Sequence, residues 1–254
     1  MKSSDPALRF TDRVEAYVRY RPDYPADAIQ WMLQQAGLDR PGVIADIGSG
    51  TGISTRPLLE RGHQVFAIEP NDAMRAYAER TLSSFEGFVS VDAAAEATTL
   101  DDQSIDLITA GQAFHWFKKD ATRAEFARVL RPGGQVALLW NDRITEGDPF
   151  HVAYEGLLKE HATDYERVNH QNLAESDFTR FYLGGYEFAT FDNAQALDLE
   201  GLIGRVQSSS YMPGPEHPNC AAMTEALRVL FDRYAVNDAV TIKYQTTVRV
   251  GRVS

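Results

Sequence analysis

Cysteine is nearly missing from this 254-residue chain, Cys220 being the only one. A single thiol excludes an internal disulfide, a cysteine-rich zinc site and a three-cysteine iron–sulfur cluster, and it fits a reducing, cytoplasmic compartment. Basic charge is also short: 25 lysines and arginines face 36 acids, for a formal net charge of −11. Such a surface repels phosphate backbones, and the only adjacent lysines, Lys118-Lys119, read as a solvated helix start, so no nucleic-acid partner is expected. No window approaches the ~18 consecutive apolar residues of a membrane helix. The opening Met1-Lys2-Ser3-Ser4-Asp5-Pro6 lacks the apolar run of a secretory signal. Internal repeats and low-complexity tracts are absent as well. What is present is 44% hydrophobic content, enough for a sizeable core, read here as one domain plus a lid.

The most informative stretch is Ala45-Asp46-Ile47-Gly48-Ser49-Gly50-Thr51-Gly52. Val43 to Ile47 reads as a buried parallel strand, and the glycine turn after it lets a ligand touch backbone. A helix from about Ser54 turns its unpaired N–H groups toward that ligand. Dinucleotide folds want Gly-x-Gly-x-x-Gly, whose third position here is Ile53. Gln64-Val65-Phe66-Ala67-Ile68-Glu69 reads as the next strand, and its Glu69, 21 residues after Gly48, can accept hydrogen bonds from both hydroxyls of a ribose. A nucleoside ligand is therefore expected.

With these residues the chain resembles the class I S-adenosylmethionine-dependent methyltransferases, which open with Asp-x-Gly-x-Gly-x-Gly and an acid ending the second strand. The resemblance continues through Ala95-Glu96, Ser104-Ile105-Asp106-Leu107, Gln112-Ala113-Phe114-His115-Trp116 and Leu130-Arg131-Pro132-Gly133-Gly134, covering about residues 9–142. Ala113-Phe114-His115-Trp116 and Tyr20-Arg21-Pro22-Asp23-Tyr24-Pro25 are similar to the small-molecule branch that includes trans-aconitate methyltransferase-like proteins.

Periodicity places a helix over Pro25–Ala36, strands near 43–47, 64–69, 86–91, 105–110 and 135–141, and helices near 54–61, 71–84 and 121–130. This alternation implies an α/β, Rossmann-like, doubly wound and mostly parallel sheet, with ligands at the strands' carboxyl ends. Tyr186–Leu197 reads as a sixth strand, Cys220–Tyr234 as a helix and Ala239–Val250 as a terminal strand. The order 3-2-1-4-5-7-6 comes from the resemblance alone. Residues 1–142 are read as the cofactor-binding core, 143–183 as a lid or substrate-covering insertion, and 184–254 as the remainder of the sheet domain.

Each part of S-adenosylmethionine asks for a different partner. Gly48, Ser49, Gly50 and Gly52 are expected to carry the amino-acid tail, with Asp46 holding the turn or reaching the ammonium. Glu69 is the ribose acceptor or, alternatively, a cap for the helix starting at Asn71-Asp72. Met74 covers an adenine face or is core packing. By resemblance Ala94, Ala95 and Glu96 read the adenine edge. Relatives carry Asp or Ser at Ala94, so Asp92 or Glu96 stands in for that contact. The carbonyls of Gly111 and Gln112 are placed to receive the ammonium, and Arg21 pairs with the carboxylate or serves as a surface ion-pair partner.

Methyl transfer is an in-line displacement that needs no metal and gains most from alignment and exclusion of water. His115 is the catalytic candidate, as base or as cation steering an acidic acceptor, against a reading in which it only bonds backbone. Trp116 reads as a pocket wall, and Asn141, Ser210 and Tyr211 as further acceptor contacts. The expected reaction is transfer to a small-molecule acceptor, at a carboxylate or a hydroxyl. The alternatives are a nicotinamide-dependent oxidoreductase and a non-catalytic nucleoside-binding regulatory protein.

Overall fold

The strand–helix alternation closes into one sheet. The computed structural model describes residues 14–163, 173–214 and 216–254, so residues 1–13 of the expected core and 164–172 of the expected lid lie outside the description. The strands are β1 (Val43–Ile47), β2 (Gln64–Ile68), β3 (Phe88–Val91), β4 (Ile105–Gly111), β5 (Leu130–Arg143), β6 (Tyr186–Leu197) and β7 (Val240–Gly251). Their order is β3-β2-β1-β4-β5-β7-β6. β1 to β5 pair in parallel, and β7 runs antiparallel to both β5 and β6. The fold class and strand order expected above are thus observed, and β5 begins earlier than its apolar run because Leu130 already pairs with Ile105.

Period-two alternation sorts the strand residues between two apolar layers. On one face Ile108, Ala110, Val136, Leu138 and Trp140 meet Phe114 and Phe126. On the other, Ile44, Val65, Leu107, Ala137 and Leu139 meet Ile29, Met32 and Leu33 of the Ala26–Gln35 helix. That helix stops at Ala36 with Gly37 in the left-handed region behind it, the expected C-terminal signal.

A third apolar cluster lies beyond the carboxyl end of β5. Helices Pro149–His161, Leu199–Gln207 and Cys220–Tyr234 bury Tyr154, Leu158, Leu202, Val206, Met223 and Leu227 against Ile242 and Tyr244 of β7. Asp148 and Asp198 cap the first two of these helices by accepting from His151 N and Gly201 N, each cap contributing roughly 1 kcal/mol. The described parts of 143–183 pack differently. Pro149–His161 joins this third cluster, whereas Phe178 and Phe181 of the Glu175–Phe181 helix join the sheet core beside Phe114. Among the described residues no helix is long and apolar enough to cross a membrane.

Candidate functional site

At the end of β1 the chain turns through Gly48–Gly52 into the Thr55–Leu59 helix. Asp46 is fully buried beneath this turn. Its Oδ2 accepts from Ser54 Oγ at 2.8 Å and Thr55 Oγ1 at 2.7 Å, and its Oδ1 from Thr109 Oγ1 at 2.9 Å. Burial pushes the Asp46 pKa up and those three hydroxyl donors oppose the rise. Its oxygens tie the turn to the helix start and to β4, and it lines neither cavity described below. Of its two expected roles, the geometry serves holding the turn.

Gly50 has φ +58°, a region costly for side-chain-bearing residues, and its N–H donates to Glu69 Oε2 at 2.9 Å. Gly52 also has positive φ, and a Cβ there would stand 2.5 Å from Leu82 Cδ1, so helix packing requires glycine at this position, expected to carry the cofactor tail but lining neither cavity described below. Glu69 Oε1 accepts from Asn71 N at 2.8 Å, while Asn71 Oδ1 accepts from Met74 N to cap the Asp72–Leu82 helix. Glu69 therefore braces both the turn and the residue that caps the helix. Burial raises its pKa, and the two N–H donors hold it back.

Among the described residues, two cavities open on this turn. The larger, about 330 Å³, is lined by Glu69, Met74, Ala94, Ala95, Glu96, Trp116 and Phe117. Here Glu96 Oε1 accepts from Lys118 N at 2.8 Å and fixes the rim. The smaller, about 120 Å³, is lined by Arg21, Tyr24, Ser49, Asn141, Arg143, Arg205 and Tyr211. Tyr17, Gly48, Gly50, Gly111 and Gln112 line both and so form the wall between them. Gln112 reaches that wall from a left-handed backbone conformation with φ +57°, and its Nε2 donates to Asn141 O at 3.3 Å. Asn141 Nδ2 in turn donates to Asp23 O at 3.3 Å, tying the amino-terminal segment over the end of β5.

Several candidates sit elsewhere than the acceptor side. Trp116 lines the larger cavity. His115, in the short 3₁₀ turn Phe114–Trp116, lines neither and stacks its ring 4.7 Å from that of Trp116. Ser210 is buried and lines neither. Conversely, the sequence reading passed over Arg143, Arg205 and Tyr17. Arg143 follows Asn141 by two residues on the same face of β5, a period-two signal. Arg205 stands on the apolar face of its helix with Leu202 and Val206, where a charge is anomalous.

The smaller cavity is strongly cationic. Arg143 is balanced by Glu155, to which its Nη2 donates. Arg21 donates to Ser208 O at 3.0 Å, its guanidinium lies over the Tyr17 ring, and burial with Arg205 nearby lowers its pKa. Burial alone would raise the Tyr211 phenol, but Arg143, Arg205 and Arg21 together bring it below its ordinary value. Among the described residues no group of three His, Cys, Asp or Glu could hold a metal.

Residues 45–138 match a methyltransferase domain family. An uncharacterised methyltransferase of Mycobacterium tuberculosis is 41% identical over 143 residues, 55% of this chain and 54% of that protein, so the chain spans about half the length of that relative. An uncharacterised methyltransferase-like protein of Schizosaccharomyces pombe is 27% identical over 244 residues, 93% of this chain and 92% of its own. In structure, a candidate type II methyltransferase of Anaeromyxobacter dehalogenans superposes with TM-score 0.68 at 22% identity, over 92% of this chain and 98% of its own, and shares the fold. Residues 45–138 thus match a methyltransferase domain, and with the strand order and the glycine turn facing an acid the chain is similar to the class I S-adenosylmethionine-dependent methyltransferases.

Proposed function

We propose that the protein transfers the methyl group of S-adenosylmethionine to a small-molecule acceptor, at a carboxylate or a hydroxyl, seated in the smaller cavity. One observation carries this reading: the two cavities meet at a wall of Gly48, Gly50, Gly111, Gln112 and Tyr17. The larger cavity fits the cofactor, because it combines an acid, small residues and an aromatic floor beside the bare turn. Glu69 would hold the ribose, and Met74, Ala94, Ala95, Trp116 and Phe117 the adenine. Gly48, Ser49 and Gly50 would hold the amino-acid tail, toward which the buried, unpartnered Ser49 Oγ is available.

S-adenosylmethionine, when bound, supplies an electrophilic methyl whose C–S bond breaks with its electron pair going to sulfur as an acceptor lone pair forms the new bond. The protein's task is alignment and drying. The hydrogen bond from Gln112 to Asn141 O and that from Asn141 to Asp23 O fix the wall and its cover, and Tyr17 lines both cavities. An ionised carboxylate acceptor needs no proton removed, which agrees with His115 standing outside both cavities.

A radiolabelled methyl-transfer screen over metabolite pools, with product mass analysis, tests the proposal. Transfer to a small molecule is the expected result. Saturable cofactor binding without transfer to any acceptor would favour a regulatory protein, and NADH binding in place of S-adenosylmethionine an oxidoreductase.

A further inference from the structure

We propose that Arg205 forms an anchoring subsite for a carboxylate group of the acceptor. The inference rests on the smaller cavity being the acceptor's place.

Arg205 is 6% exposed, yet its donors reach only neutral oxygens: Nε to Tyr244 Oη at 3.1 Å and Nη1 to Ser209 Oγ at 3.1 Å. Arg21 donates to a carbonyl, and its buried Nε has no partner. Among the described residues neither guanidinium pairs with a carboxylate, in contrast to Arg143 with Glu155 in the same cavity. Burying one guanidinium without a counter-ion is costly, and burying two that repel each other costs more, unless a ligand supplies the missing negative charge.

The cofactor supplies at most one carboxylate, which Arg21 is expected to meet, and leaves Arg205 without a counter-ion. S-adenosylmethionine carries a sulfonium and an ammonium against one carboxylate, so it brings net positive charge toward a cavity that already has too much. The acceptor is the remaining source of anionic charge. A planar carboxylate matches the guanidinium fork and fits a cavity of about 120 Å³.

Calorimetry and thermal shift on the full chain saturated with S-adenosylhomocysteine provide the test. The probes are acetate, succinate, glutarate and citrate, their amides, and inorganic phosphate. At least one carboxylate should bind saturably and more tightly than its amide. Arg205→Gln should weaken that binding by at least tenfold while S-adenosylhomocysteine affinity stays within about twofold of wild type, and Arg205→Lys should retain part of it. If Arg205→Gln fails to fold, Arg205→Lys carries the comparison, with carboxylate binding weaker than in wild type and S-adenosylhomocysteine affinity kept. Amides binding as well as acids, phosphate outcompeting every carboxylate, no saturable carboxylate binding, or carboxylate binding untouched in the variants would each overturn the proposal. Failure of wild type to bind S-adenosylhomocysteine would instead remove the methyltransferase reading beneath it.

Discussion

Glu69→Ala separates the bracing that this carboxylate provides from the ribose contact proposed for it. In the structure both oxygens accept backbone N–H groups, from Gly50 and Asn71, while the residue also lines the larger cavity. Deleting it leaves two N–H donors without their acceptor, each worth about 1–3 kcal/mol when water cannot replace the partner. Two effects reduce that loss: the cavity admits water, and a buried carboxylate whose pKa is raised by burial is no longer paid for in desolvation. A net fall of about 1–3 kcal/mol in unfolding free energy is expected, measured by urea denaturation without ligand. The ribose would separately lose charged hydrogen bonds of about 1–3 kcal/mol in total, which lowers S-adenosylhomocysteine affinity roughly 5- to 150-fold by titration calorimetry. Glu69→Gln, which keeps the length and one acceptor oxygen, should recover more stability than affinity. Should Glu69→Ala bind S-adenosylhomocysteine like wild type while losing stability, Glu69 is only a brace for the turn and the cofactor assignment fails.

Three further outcomes can be checked directly. A Cβ at Gly111 would stand 2.5 Å from Tyr24 Oη, so Gly111→Ala should cost about 1–3 kcal/mol in thermal unfolding through overpacking, and adding Tyr24→Phe should restore about half. The hydrogen bonds from Arg128 hold the Glu125 carboxyl at about 2, below its ordinary 4.5. Its contribution is therefore complete above pH 4.5 and lost as pH falls toward 2; Glu125→Gln should lower stability by on the order of 1–2 kcal/mol at pH 7, after discounting for the partly exposed Arg128, and flatten the acid limb of the stability curve. His115→Ala should lower kcat less than about threefold, because the ring packs on Trp116 outside both cavities; a loss beyond about a hundredfold would restore a proton-transfer role.

The sequence by itself determined the parts whose physics is local. Apolar runs marked the strands, Gly37 the end of the first sheet-packing helix, and the glycines after Ile47 the turn, because backbone conformation and burial periodicity depend on neighbours a few positions away. The strand order rested on resemblance until pairings across the sheet, such as Ala137 with Val250, joined residues far apart in the chain. Only the tertiary structure gathered Arg21, Arg143 and Arg205 at one cavity, from the amino-terminal segment, the end of β5 and a helix beyond β6. It also put Trp116 in the larger cavity and His115 outside both, a matter of how a short 3₁₀ turn rotates its side chains once Phe114 is locked into the core. Helical spacing sets Arg205 among apolar residues, but whether a counter-ion meets it is invisible along the chain, because an arginine costs nothing in water and acquires meaning only when folding buries it without one.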